Sequence, residues 1–530
     1  MKMSSRVHDA DQTTAAPLWP VIRGCMPAFF ASFFLLVWCY GFLIFNFSIS
    51  VDEELHLSGL PGLNVEWLRS GRWAIYLFKV TLGSLEVVPF FTGLFALLFL
   101  AAAAAALHQG FKSTQPATSA SAGDWGLTAL IFSTTPVFVF TLCFATFDAE
   151  IGFGVFLAIL SSVLATGVIH QARPVHHAII SLILLGVAIG VYQPMLIMWV
   201  AAMLSFQLSA LLLQESDPVE LRRGLKKFIT HFLVICTGGV LFYKTIDWAV
   251  MYFAGKSPYL EGYLNWPRES FHTAAFRLYT SGKGFLWGDL FQAGIGWKLL
   301  LGIELAVSLV ILRHAWRRRL FWIAGAILLA LFILPFALSL ITGFPLPLRT
   351  MFPIAVSFTA PVMIAWPLLR HRRLRLLLLG TVVLVSLANV QWINRVLLAD
   401  FRRYQYDVTL AQQIGREVEK LSSPHGPKPV RIAVVGLYQA NPDIFGYKYE
   451  VLGSSLFEWD GGNPFRVHAF LRALGFGSFS VPSGDDIRQA FQESTTMDSW
   501  PAPSSIRIKD DLAIVKLSAP TPQQVRNYLK

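Results

Sequence analysis

Residues 26–54 read MPAFFASFFLLVWCYGFLIFNFSISVDEE, and the change of character inside that stretch decides what kind of chain this is. From Met26 to Phe47 there is no charged side chain. A helix needs about 20 such residues to cross the roughly 30 Å hydrocarbon layer of a bilayer. The run exceeds the apolar core of a secretory signal and lacks a convincing cleavage site. The residues before it, MKMSSRVHDADQTTAAP, are polar for too long to be a signal's leading region. It reads as a first membrane span that is retained. Immediately after it come three acids in a row, Asp52, Glu53 and Glu54.

Working outward, the same signature recurs over the first 400 positions. The expected spans are 27–47, 87–107, 125–145, 151–169, 178–192, 194–213, 228–250, 291–312, 320–342, 352–369 and 376–398. Of the 530 residues, 55% are hydrophobic and 14% are charged, against about 25% charged in a soluble protein. The fold class is therefore an α-helical polytopic membrane protein of about eleven spans. Three parts are expected: a cytoplasmic tail over 1–26, a membrane domain over 27–399, and an extracytoplasmic α/β domain over 400–530.

The excess of basic residues, 43 Lys and Arg against 32 Asp and Glu, is placed where topology needs it. RRGLKK (222–227), RHAWRRR (313–319) and RHRRLR (370–375) fall in alternate short loops, whereas the outward loops 146–150 and 343–351 contribute only Arg349. That is the positive-inside pattern. The charge serves orientation and anionic membrane lipids, so no nucleic-acid partner is expected. The four cysteines lie in or beside apolar spans and carry no disulfide or zinc spacing.

Segment 178–213 is barely long enough for two crossings, but Gly190, Tyr192, Gln193 and Pro194 interrupt it at its midpoint. Read as one span, it would put RRGLKK outside. Two short spans meeting at Tyr192–Gln193 are therefore expected. In 48–86, Ser50–Glu53 fits a capping box, and a second helix capped by Asn64 would carry Leu68, Ile75, Tyr76 and Val80 on one stripe, with Arg69, Arg72 and Lys79 making it interfacial. Segment 251–290 is rich in aromatic and basic residues. In the tail, VRIAVVGLY (430–438) reads as a strand, 465–475 and 485–494 as helices, and SIRIKDDLAIVKL (505–517) as a hairpin.

Candidate chemistry gathers on the outward side. A partly desolvated carboxylate among Asp52, Glu53 and Glu54 can act as a general base toward a hydroxyl; the same acids would equally complement a helix N-terminus. Asp148 and Glu150 are held by a five-residue hairpin near the same surface, where a solvated turn is the plain alternative. Arg349, between prolines, can bind a lipid phosphate bidentately or simply reach ordinary headgroups. Tyr192 and Gln193 can border a cavity or glue helices together. Few ionisable residues lie deep in the spans, which disfavours an ion-coupled transporter.

Taken in order, Asp52-Glu53-Glu54, Ser70-Gly71-Arg72-Trp73, Thr146-Phe147-Asp148, Gly190-Val191-Tyr192-Gln193, Pro347-Leu348-Arg349 and Glu458-Trp459-Asp460-Gly461-Gly462-Asn463 resemble the landmarks of the bacterial O-antigen-modifying, serotype-converting glucosyltransferase family. The likeness spans most of the chain, although each motif is short. It implies a GT-C-type enzyme that takes glucose from undecaprenyl-phosphate glucose on the outer face of the cytoplasmic membrane. The acceptor would be a lipid-linked O-antigen or another cell-surface polysaccharide, with inversion at the anomeric carbon. By this resemblance Asp52 is the candidate base and Glu53 its rival. Asp148 would position the acceptor or stabilise charge on the sugar, and Arg349 and Arg72 would hold the donor phosphate. Glu54, Glu150, Tyr192, Gln193, Tyr263, Trp266 and Arg268 would contact substrate. No cofactor is expected and no dedicated metal cage is present in the sequence; a divalent ion held by Asp52 and Asp148 is the open alternative. A partner flippase is compatible with this arrangement. The chain departs from the pattern in offering three adjacent acids where one suffices. Related membrane enzymes move arabinose, mannose or aminoarabinose with the same architecture, so the sugar stays open. A flippase of lipid-linked saccharides and a non-catalytic scaffold are the readings from other classes.

Overall fold

The structure, a computed structural model, describes residues 18–60, 62–116, 124–170, 174–214, 217–257, 261–287, 294–421, 431–439, 448–476 and 479–529. Among these, nine helices are long and apolar enough to cross a membrane, beginning with Arg23–Phe45 and ending with Arg372–Leu421. In hydrocarbon no water can satisfy a backbone N–H or C=O, so each crossing segment must bond to itself. Two further helices coincide with expected spans but are short, Val175–Val191 and Ile354–Leu368. At 1.5 Å per residue the latter reaches only about 22 Å. It needs no more, because Ile354 to Trp366 are all buried within the bundle and never meet the lipid thickness.

Each expected span corresponds to a helix or to a broken helix. The third is broken: Asp124–Thr134 gives way to a 3-10 turn at Pro136–Phe138. Thr134 and Thr135 bond back to Leu130 O and Ile131 O, both at 2.7 Å, which satisfies those carbonyls just before the proline. Val191 and Met195 bound the interruption at Tyr192-Gln193-Pro194, as the residues suggest. Close packing relies on small side chains: a Cβ on Gly152 would stand 2.8 Å from Ala96 O, so the Pro89–Thr114 and Asp148–His170 helices meet nearly backbone to backbone. The last span does not end near 398. Its helix runs unbroken from Arg372 to Leu421.

Following the helices in order puts all three basic clusters at one end. The opposite end holds 46–60, 62–88, 143–147, 192–194, 343–353 and the described residues beyond the last span. In 48–86 the expected long second helix is corrected to two, Leu63–Arg69 and Trp73–Leu82, preceded by Glu53–Leu57. Gly71 at φ 72 makes the break, and a Cβ there would lie 2.8 Å from the Tyr243 hydroxyl and 2.9 Å from Asp247 Oδ1. Asn64 does not cap; its side chain donates to Leu85 O. Half of the capping box forms: Glu53 accepts from the Ser50 N–H at 2.9 Å, while the Ser50 hydroxyl has no partner among the described residues. Lys79 is not interfacial either. It is buried and paired with Glu150 at 3.3 Å, tying the Trp73–Leu82 helix to Asp148–His170. The helix Phe271–Trp287 exposes Phe271, Phe276, Tyr279 and Trp287, the pattern of a helix lying along a membrane surface.

Beyond Leu421 a three-stranded sheet of order β1-β3-β2 forms from β1 (Arg431–Val435), β2 (Ile506–Lys509) and β3 (Leu512–Lys516). β1 and β3 are parallel, and β2 and β3 are antiparallel across a two-residue turn with Asp510 at φ 55. The crossover to the parallel partner contains the helices Pro464–Ala473 and Gly484–Ser494. The sheet unit is stapled to the bundle by carboxylates of the long helix. Asp407 takes the Ser455 hydroxyl at 2.6 Å and the Leu456 N–H at 2.9 Å, and Asp400 takes the Gly453 N–H at 2.7 Å.

Removing one partner of a buried ion pair leaves a lone buried charge and costs about 3–5 kcal/mol, whereas replacing both with apolar groups is far milder. Lys79→Ala should therefore sharply lower the melting temperature of the detergent-purified protein. The double variant Lys79→Met with Glu150→Leu should melt closer to the parent.

Candidate functional site

The chain leaving the first span turns sharply because of Glu53. Its side chain is wholly buried, and its two oxygens accept backbone N–H groups from Ser50 and from Ala145. Burial holds this carboxyl well above the usual range, against those two hydrogen bonds. With Glu53 turned inward, Asp52 adopts φ 79, a backbone region that residues other than glycine seldom visit. Its side chain emerges half-exposed on the other side.

There it lines a cavity of about 500 Å³. Asp52, His56, Arg72, Tyr192, Tyr263 and Arg349 come to it from the bundle end, and Trp459, Asp460 and Arg466 from the C-terminal part. One wall is aromatic: Phe144 and Phe147 have ring centroids 4.9 Å apart, and Trp67 meets Phe147 at 5.5 Å. Two guanidinium groups rest on that wall. Arg72 lies 4.8 Å from the Tyr192 ring and 5.7 Å from Trp67, and Arg349 lies 5.3 Å from Phe144. Cation–π contact helps to fix their positions. The Nε of Arg72 is buried with no partner among the described residues. Such a pair of cations is suited to an anion carrying several acceptor oxygens.

The structure thus brings together Asp52, Arg72, Tyr192, Tyr263 and Arg349, and places the other expected site residues outside that lining. Asp148 does not share the mouth with Asp52. Phe147 and Ile151, four residues apart on one helical face, take the cavity wall, so Asp148 points elsewhere. It lines a second void of about 30 Å³ together with Glu53, Tyr40 and Phe47. Glu53 itself is out of reach of the large cavity. Glu150 is occupied by Lys79, and Glu54 by Arg466. Gln193 donates to Ser70 O at 3.3 Å and holds the Gly71 turn. Trp266 donates to Leu340 O at 2.9 Å and stacks on Phe271. Arg268 bonds Gly262 O.

Three groups escaped the sequence reading. Arg466 sits in a stretch legible only as an amphipathic helix. His56 is one turn beyond Asp52, and its ring has no hydrogen-bond partner among the described residues; burial and nearby Lys79 hold it below its ordinary value. Glu450 accepts the Leu348 N–H at 2.6 Å beside Arg349, with burial raising its carboxyl. None of the three belongs to a motif that spacing could flag.

Fold and cavity define a multi-pass membrane protein with an arginine-bearing pocket at one end of its bundle. The Glucosyl transferase GtrII family model matches residues 41–366, more than half of the chain. The protein belongs to that family and is a glucosyltransferase. No curated protein and no solved structure matches it. The matched stretch contains Asp52, Arg72, Asp148, Tyr192 and Arg349, whereas Glu450, Asp460 and Arg466 lie beyond it.

Burial pushes Glu54 up to about 7, against the pull of Arg466. A carboxyl raised in the folded state favours folding most below its unfolded value of 4.5, and that contribution is lost as pH rises to about 7. Glu54→Gln should therefore flatten the melting temperature against pH between 4.5 and 7 relative to the parent. Parallel curves would refute the assignment.

Proposed function

We infer that the protein moves a glucosyl residue from undecaprenyl-phosphate glucose to a lipid-linked O-antigen or another cell-surface polysaccharide, with inversion, on the outer face of the bacterial cytoplasmic membrane. The observation carrying this reading is that Asp52, Arg72 and Arg349 line one cavity at the end of the bundle opposite the basic clusters. Positively charged loops stay in the cytoplasm, which supports an outward-facing cavity and C-terminal part. A volume of about 500 Å³ suits a sugar phosphate with part of an acceptor sugar, and leaves the polyprenyl chain to the lipid.

In this mechanism Asp52 takes the proton of the acceptor hydroxyl, whose oxygen attacks the anomeric carbon from the face opposite the phosphate. The bond between that carbon and the phosphate oxygen breaks, and the lipid phosphate departs carrying the additional negative charge. Arg72 and Arg349, fixed on the aromatic wall, stabilise that charge as it develops. Tyr192 and Tyr263 border the sugar. Glu53, on the far side of the turn, acts through the Ser50 backbone that it holds. The two arginines supply the charge that a divalent ion would otherwise supply, and no metal enters the proposal.

Purified protein in nanodiscs should transfer glucose from undecaprenyl-phosphate glucose to a polysaccharide acceptor. Asp52→Asn should lower kcat by about 10²–10⁴-fold without loss of folded protein, and an active variant would remove Asp52 as the base. Arg349→Met should cost about 10²–10³-fold in kcat/KM, with EDTA leaving the parent rate unchanged. Donors carrying arabinose or mannose on the same lipid serve as competitors, and preference for one of them would reassign the sugar.

A further inference from the structure

Arg466 contacts three carboxylates with three different nitrogens. Its Nη2 donates to Asp52 Oδ1 at 2.9 Å, its Nε to Asp460 Oδ2 at 2.8 Å, and its Nη1 to Glu54 Oε1. The arginine side chain is 17% exposed, and Glu54 is entirely buried. Asp52 and Asp460 keep nearly half of their side-chain surface toward the cavity.

Several facts indicate that this contact is not there for the helix that bears it. Arg466 is in the first turn of Pro464–Ala473, the end where the helix dipole disfavours a cation. Both cavity-facing acids that it grips stand on left-handed backbone, Asp52 at φ 79 and Asp460 at φ 49. Strained residues persist only where their surroundings over-determine them, and such sites gather at functional centres. The guanidinium fork is planar and rigid, with donors in several fixed directions. Glu54, entirely buried, anchors one edge of it; a second edge then sets where the Asp52 carboxylate can stand.

We propose that Arg466, through the relay Glu54–Arg466–Asp52, is the positioning residue that aims the base, and that the C-terminal part thereby completes the active site of the membrane domain. The proposal rests on Asp52 being the base. It assigns Arg466 no contact with the donor phosphate, which separates it from Arg72 and Arg349. An arginine placing a base affects the step at which the proton moves; one holding phosphate affects donor binding.

The test uses the full-length protein, with Arg466→Ala and Arg466→Lys assayed against donor concentration. Both should lose about 10²-fold in kcat, the scale on which a catalytic group misplaced by about 1 Å acts, while donor KM stays within about twofold. Lysine should rescue little, because a single ammonium cannot hold two carboxylates at the fixed angle. Free guanidinium ion should restore part of the Arg466→Ala rate and none of the Asp52→Asn rate. The relay is overturned if kcat is unchanged, if the loss lies in donor KM, or if guanidinium restores nothing in an Arg466→Ala protein that melts like the parent. Should the alanine variant not fold, the division between kcat and KM in Arg466→Lys decides alone. An inactive Asp52→Asn with an indifferent Arg466 leaves the base standing and removes only the relay; an active Asp52→Asn removes the base itself.

Discussion

The burial of Glu53 is the constraint on which the rest of the site depends. A carboxyl sealed from water must have its oxygens bonded, and the groups available are the N–H of Ser50 behind it and of Ala145 in the loop before the Asp148–His170 helix. Meeting that demand pins the end of the first span to the hairpin between the third and fourth. It also decides the fate of the two neighbours. Asp52 is rotated out into the cavity at φ 79, and Glu54, one helical step further on, points to Arg466. Three adjacent acids of the same chemistry thus occupy three environments: cavity, interior and interface.

The aromatic wall works in a similar way on the cations. An arginine near a membrane surface would ordinarily reach for headgroups. Arg72 and Arg349 are kept from doing so by Tyr192, Trp67 and Phe144. Tyr192 is available because the chain breaks at Gln193-Pro194, and Gln193 in turn holds the Ser70–Gly71 turn that presents Arg72. The motifs that looked separate along the chain are parts of one support. Gly190 belongs to it too, since a Cβ there would lie 2.6 Å from the ring of Trp73.

The C-terminal sheet unit is as much a wall of the cavity as an appendage. It is bound through Asp400 and Asp407 of the long helix, and it contributes Trp459, Asp460 and Arg466 to the lining. Because Asp400 and Asp407 belong to the same Arg372–Leu421 helix that forms the last span, the unit is held to one end of the bundle rather than left on a tether.

The apolar helices, their order, the charge asymmetry between the two ends and the strands of the tail were legible in the sequence, because each depends on neighbours within a few turns of chain: apolar length, period, a proline, a basic loop. Local rules also located the acid triplet and the arginines. They could not sort the triplet, because Asp52, Glu53 and Glu54 differ only in what surrounds them. The same limit hid Lys79, which reads as an exposed interfacial cation until Glu150 meets it, and it paired Asp148 with Asp52, when a rotation of about 100° per helical residue turns Asp148 away. Arg466 meets Asp52 across 414 positions of chain. Contacts of that separation are set by packing, and only the tertiary structure could decide which acid faces the cavity and what holds it there.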